Sequence, residues 1–176
     1  GCCNHGLIVA HWKYAAQKID AGGNVSSKQR YALDTQQDAW RLLKGLKPRP
    51  LELGRISLVR EAPLSVLRCA DTLEPLLLHL GLNDEGMHEF PQDLHVYCGQ
   101  GLRIWQFPLQ FSRYMEALIA LEVRSYLGIG IRHGGSFVAS VEILERFRQL
   151  DFAVAVDVIP CPSLLEYACL NPRTRI

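Results

Sequence analysis

An α/β protein, built on the start of a Rossmann-like parallel sheet (βαβ) and preceded by a mostly helical N-terminal region, is the fold class the sequence predicts. Three observations carry that prediction. Residues 125–131 (SYLGIGI) form a short apolar run that leads straight into glycines. Residues 152–158 (FAVAVDV) are almost wholly apolar, as expected of a parallel strand covered on both faces. Between them, residues 136–150 are of helical length and composition. Strand, glycine turn, helix and a second strand with a terminal acid make up a βαβ unit.

The elements follow in order. Residues 7–19 (LIVAHWKYAAQKI) read as a helix that Ala21-Gly22-Gly23-Asn24 stops. Ser26 or Ser27 caps a second helix running to about Leu46, with Tyr31, Trp40, Leu42 and Leu43 as its apolar face and Gly45, Pro48 and Pro50 at its end. Residues 53–59 are a short strand candidate. Pro63 begins a leucine-rich helix closed by Gly81, with a kink expected at Pro75. Residues 83–93 are loop, 94–98 a possible strand, and Gly99-Gln100-Gly101 a turn. Phe111, Tyr114, Leu118 and Leu121 then share one face of a helix over 111–121. After the βαβ unit a last helix spans roughly 163–170. The natural division lies near residue 100, with a helical N-terminal region over 1–100 and the N-terminal part of a Rossmann-like domain over 101–176.

Composition narrows the function classes. The 176 residues are 48% hydrophobic and 21% charged, which suits a packed globular chain rather than a disordered one. A net charge of +1 with scattered basic residues gives no footprint for nucleic acid. The most apolar stretch, 63–82, is interrupted by Arg68, Asp71, Glu74 and His79, so no membrane span is expected. Six cysteines, at 2, 3, 69, 98, 161 and 169, include no C-x-x-C pair, and the chain shows no signal-peptide pattern. The expectation is a reduced, cytoplasmic or organellar chain that is not secreted. Cys2, Cys3, His5 and His11 lack the spacing of a tetrahedral site, and no H-x-x-x-H or H-x-H pair occurs, so no metal is expected.

The chemistry concentrates in Leu127-Gly128-Ile129-Gly130-Ile131-Arg132-His133-Gly134-Gly135-Ser136 and in Asp157. Glycines at the end of a first parallel strand allow a sharp turn and admit a ligand against the main chain. The following helix offers free N–H groups and the positive end of its dipole. An acid ending the second strand stands where a ribose is held by its hydroxyls. Glycines at strand ends also serve packing, and the pattern by itself leaves both readings open. Ser136 reads as a helix N-cap, and Trp105 as a packing anchor. Arg132 and His133 are placed either to meet substrate or a carboxylate, or to play a solvated, structural role. Asp34, Asp38 and Glu116 read as solvated helix faces.

Upstream of the turn lies Trp105-Gln106-Phe107-Pro108, followed by a helix bearing Tyr114. Together with Gly130, Gly134, Gly135, Ser136 and Asp157, this order resembles the cephalosporin hydroxylase-like branch of the class I S-adenosylmethionine-dependent methyltransferases. Members of that branch show W-Q-x-P, a helix with a Tyr, E-x-G-x-x-x-G-G-S, and a hydrophobic strand ending in Asp. The resemblance spans residues 102–170. It implies S-adenosylmethionine as cofactor, with Gly130, Gly134 and Gly135 under the methionine part, Asp157 on the ribose, and Ser136 and Gln106 in the same cofactor site. Catalytic residues are not assigned.

This chain departs from the family pattern at Gly128, where the family carries an acid. It also stops before the later strands of a methyltransferase domain. The resemblance therefore implies either methyl transfer to an unknown small molecule once further sequence or another chain completes the domain, or a non-catalytic structural or interaction subunit of a larger assembly. Protein partners or a small-molecule substrate follow respectively. A dinucleotide-binding oxidoreductase is a third reading, which the Gly-Gly-Ser ending of the glycine run disfavours.

Overall fold

The computed structural model describes residues 7–11 (as backbone), 48–85, 87–148 and 150–176. Its framework is a four-stranded, all-parallel sheet in the order β1 (Leu7–His11), β2 (Ser125–Ile129), β3 (Phe152–Val156) and β4 (Thr174–Arg175). Tyr126 pairs with Ala153 and Gly128 with Ala155, so the two strands expected to be parallel neighbours are such. Residues 7–11 form a strand where the sequence suggests a helix. A short apolar run is ambiguous by periodicity alone, and the ladder from Leu7↔Ser125 to His11↔Ile129 decides it. The remainder of that expected helix and the expected second helix lie outside the described residues.

The N-terminal part of the described chain is helical. Residues 53–59, expected as a strand, form a 3-10 turn (Leu53–Arg55) and helix α1 (Ile56–Glu61). Leu53, Ile56 and Val59 recur every third residue, and all three are buried, so one helical face outweighs the alternation. The leucine-rich helix breaks at Cys69, between α2 (Leu64–Arg68) and α3 (Ala70–Leu80), while Pro75 sits inside α3. The break is held by Glu116, which lies on an exposed helix face as expected and whose carboxylate also accepts the Ala70 N–H at 3.1 Å. Residues 92–97 form a 3-10 helix instead of the expected strand. Helix α4 (Pro108–Ala120) opens with proline in its first turn and buries Phe111, Ser112, Met115, Leu118 and Ile119 on one stripe.

Helix α5 (Gly135–Arg146) connects β2 to β3, and α6 (Pro162–Leu170) follows β3. α5 lies on the sheet face made by Tyr126, Gly128, Ala153 and Ala155. Small residues there admit it closely, and Tyr126 donates to Ser140 Oγ at 3.2 Å. Val138, Val141, Ile143 and Leu144 of α5 are fully buried, each worth roughly 1.5–3 kcal/mol of hydrophobic stabilisation. A buried carboxylate ties the layers together: Glu142 accepts two bonds from Arg60 of α1 at 2.8 and 2.9 Å and one from Tyr167 of α6 at 2.9 Å. One core runs from Leu51 to Tyr167, across residue 100. Among the described residues the opposite sheet face is less buried: Leu127, Ile129 and Val154 are half-buried, and Phe152 and Val156 are 47% and 48% exposed.

Candidate functional site at the carboxyl ends of the strands

The glycine run forms a tight turn between β2 and α5. Gly130 adopts φ 70°, and its N–H donates to Val156 O at 2.9 Å, fastening the turn to the end of β3. Arg132 follows at φ 53°, a left-handed conformation that costs a residue with a side chain roughly 1–2 kcal/mol. Asp157 holds it there. One carboxylate oxygen accepts the Arg132 N–H at 2.8 Å, and the other accepts the Ile159 N–H at 3.0 Å. Each oxygen keeps a free lone pair, in a direction that the two backbone bonds fix. The Arg132 guanidinium is paired twice over with Glu85, at 2.8 and 3.1 Å.

Beside this turn a cleft of about 180 Å³ opens between Ile131, Asp157, Ile159, Pro160, Cys161 and Ile176. It lies at the carboxyl ends of adjacent parallel strands, where open α/β sheets bind ligands. Its walls are apolar apart from Asp157. The volume falls below the roughly 300–1,000 Å³ of pockets that enclose a drug-sized molecule, so it suits a flat base or a ribose rather than a whole dinucleotide.

The other flank of the turn is closed by the protein itself. Gly134 has φ 90° and precedes α5 as a cap without a side chain; a Cβ on it would lie 2.6 Å from Leu164. A Cβ on Gly135 would overlap Leu102 O at 1.5 Å. At Gly128, where the resemblance leads one to expect an acid, a Cβ would stand 2.9 Å from the Phe137 ring and 3.1 Å from Ile131. Ser136 is not the N-cap residue; its Oγ accepts the Trp105 N–H at 3.2 Å, drawing the 102–105 stretch over the start of α5.

His133 is the pivot of this closed flank. Its ring is 1% exposed and stacks on Trp105 with centroids 6.0 Å apart. Nδ1 accepts the Arg49 N–H at 2.9 Å, which places the ring proton of the neutral form on Nε2, 3.3 Å from Glu85. Burial, the largest influence, lowers its pKa; Glu85 opposes this, and Arg132, Arg103 and Arg49 add to it. Asp84 bonds both Arg103, at 2.9 Å, and Arg49. Three guanidiniums thus meet two carboxylates, Asp84 and Glu85, beside the turn.

Of the residues singled out in the sequence, Gly130, Asp157 and Arg132 meet at the cleft or its edge. Gly134, Gly135 and Ser136 lie in the packed flank. Gln106 buries its Oε1 without a hydrogen-bond partner, as Asn83 does both of its amide atoms. Asp84, Glu85 and Asn83 went unnoticed because residues 83–93 read only as loop. Ile159 and Ile176 went unnoticed because nothing local marks them; their distance from the end of a strand was the available signal. Phe137 directly follows Gly-Gly-Ser and could have been suspected from Gly128. Among the described residues no group of three or more His, Cys, Asp or Glu could hold a metal ion, and no helix is long and apolar enough to cross a membrane. Comparison with known proteins gave no matching family model, no similar curated protein and no similar solved structure.

Proposed function

We propose that the chain carries the nucleoside-binding half of an S-adenosylmethionine-binding, methyltransferase-like domain. The observation that supports this reading is the cleft at the carboxyl ends of β2 and β3, with Asp157 as the one charged side chain among its described lining residues. The residues present fit a nucleoside. Ile131, Ile159 and Pro160 offer apolar surface to a base. Asp157, oriented by the Arg132 and Ile159 amides, retains acceptor capacity for two ribose hydroxyls. S-adenosylmethionine, when bound, supplies a methyl group on a sulfonium for transfer to a small-molecule acceptor. The test is calorimetric titration of the chain with S-adenosylhomocysteine. Binding is expected, and Ile159→Trp, which fills the cleft, is expected to weaken it at least about ten-fold. Absence of binding by the wild-type chain contradicts the proposal.

A second reading, a non-catalytic interaction subunit, is favoured by one observation. Phe152, Val156 and Val158 are 47%, 48% and 62% exposed, an apolar patch of the kind that marks an interface. The mass of the chain in solution separates the two readings. An assembly that Val156→Lys and Val158→Lys dissolve supports the second, and a monomer contradicts it.

A further inference from the structure

We infer that this chain recognises uncharged adenosine-type nucleosides and leaves a charged amino-acid tail unanchored, because the flank of the glycine turn that would hold such a tail is filled by its own residues. The inference rests on the nucleoside reading of the cleft and concerns what lies beyond the ribose.

An amino-acid tail carries a carboxylate and an ammonium. The carboxylate needs free donors, and the start of a helix beside a glycine turn is the ordinary supply. Here the space beside Gly134 and Gly135 at the start of α5, on the side a Cβ would take, is filled by the chain itself. Leu102 O occupies the space against Gly135, Leu164 that against Gly134, and the Trp105 amide is bonded to Ser136 Oγ. The ammonium needs an acid. At Gly128 there is none, and the Phe137 ring lies against the Cα where such a side chain would begin. The next nearest acids are already engaged, Asp84 by Arg103 and Arg49 and Glu85 by Arg132. The filling is mutual: Gly128 is small where Phe137 is large, and Gly134 is small where Leu164 is large. The cleft, by contrast, is open at Asp157.

Calorimetry with adenosine, 5′-methylthioadenosine and S-adenosylhomocysteine tests this on the intact chain. The three affinities are expected to agree within about five-fold, since a tail gripped by even one charge-assisted hydrogen bond would add roughly ten-fold or more. Asp157→Asn is expected to weaken all three by a common factor. S-adenosylhomocysteine binding more than about five-fold tighter than adenosine overturns the inference and leaves the nucleoside reading standing. If none of the three binds, the nucleoside reading fails and the inference with it.

Discussion

The glycine turn has two flanks that use the same kinds of residue for different ends. On the α5 side, Gly134 and Gly135 are buried, and what they make room for is Leu164 and the Leu102 carbonyl. On the β3 side, Gly130 and Arg132 turn in the left-handed region, and what they make room for is a cleft with a carboxylate in its wall. Side-chain packing determines the first flank, and backbone hydrogen bonds to Asp157 and Val156 the second. A glycine in a nucleotide-type motif is therefore evidence of a close approach, but what approaches it must be read from the fold.

The sharpest way to break this contrast is at Gly135. Alanine there would drive its Cβ into a backbone carbonyl belonging to a stretch already bonded on both sides, with Leu102 N–H to Leu80 O at 2.6 Å and Trp105 N–H to Ser136. A loss of about 3 kcal/mol or more in urea unfolding is expected, with or without ligand. Near-normal stability would show that this flank is looser than described. Gly134→Ala should cost less, about 1–3 kcal/mol, because part of the penalty is the left-handed backbone and the rest falls on the flexible Leu164 side chain.

On the open flank the expected effects move from folding to binding. Asp157→Asn keeps one acceptor oxygen and the size of the side chain, but removes the charge on which the ribose hydroxyls would bear. Nucleoside affinity should fall roughly ten-fold, and thermal unfolding should fall by roughly 3–10 °C, because the amide NH2 then faces one of the two backbone N–H groups that the carboxylate accepts. A variant that unfolds instead would make Asp157 a purely structural cap of the turn.

The smallest effect concerns His133. Its folded pKa is lowered by burial, so the unfolded chain takes up the proton first as pH falls below the ordinary histidine value of 6.5. Its stabilising contribution is intact above that value and is lost as pH falls from there toward the depressed folded value. Between pH 7 and pH 5.5 a loss on the order of 1 kcal/mol is expected, measured by urea unfolding. His133→Asn, whose amide oxygen can still accept the Arg49 N–H, should show a flatter profile over the same range. Equal slopes would mean that the ring is accessible to protons in the folded state.

The sequence was most legible where periodicity and chemistry agreed. The apolar run at 125–131, the glycines, the helix after them and the run at 152–158 announced the βαβ unit, and their order also located Asp157. The strand at 7–11 was not legible, because four apolar residues and a histidine fit a helix as well as a strand until a parallel partner 118 positions away is known. The helix at 56–61 was missed because its buried face, Leu53, Ile56 and Val59, is only three residues deep. The closing of the α5 flank was not legible either. Leu102, Trp105 and Leu164 reach the turn from both sides along the sequence, and no local pattern links Gly134 to a leucine thirty residues away.

The contrast between the flanks is tested most directly by amide chemical-shift mapping of the chain titrated with adenosine. The account predicts perturbations centred on Ile131, Arg132, Asp157, Ile159 and Ile176, with little change at Gly134, Gly135 and Phe137. Perturbations centred on Gly134 to Phe137, with the amides around Asp157 unmoved, would contradict it and would place the ligand on the flank described as closed.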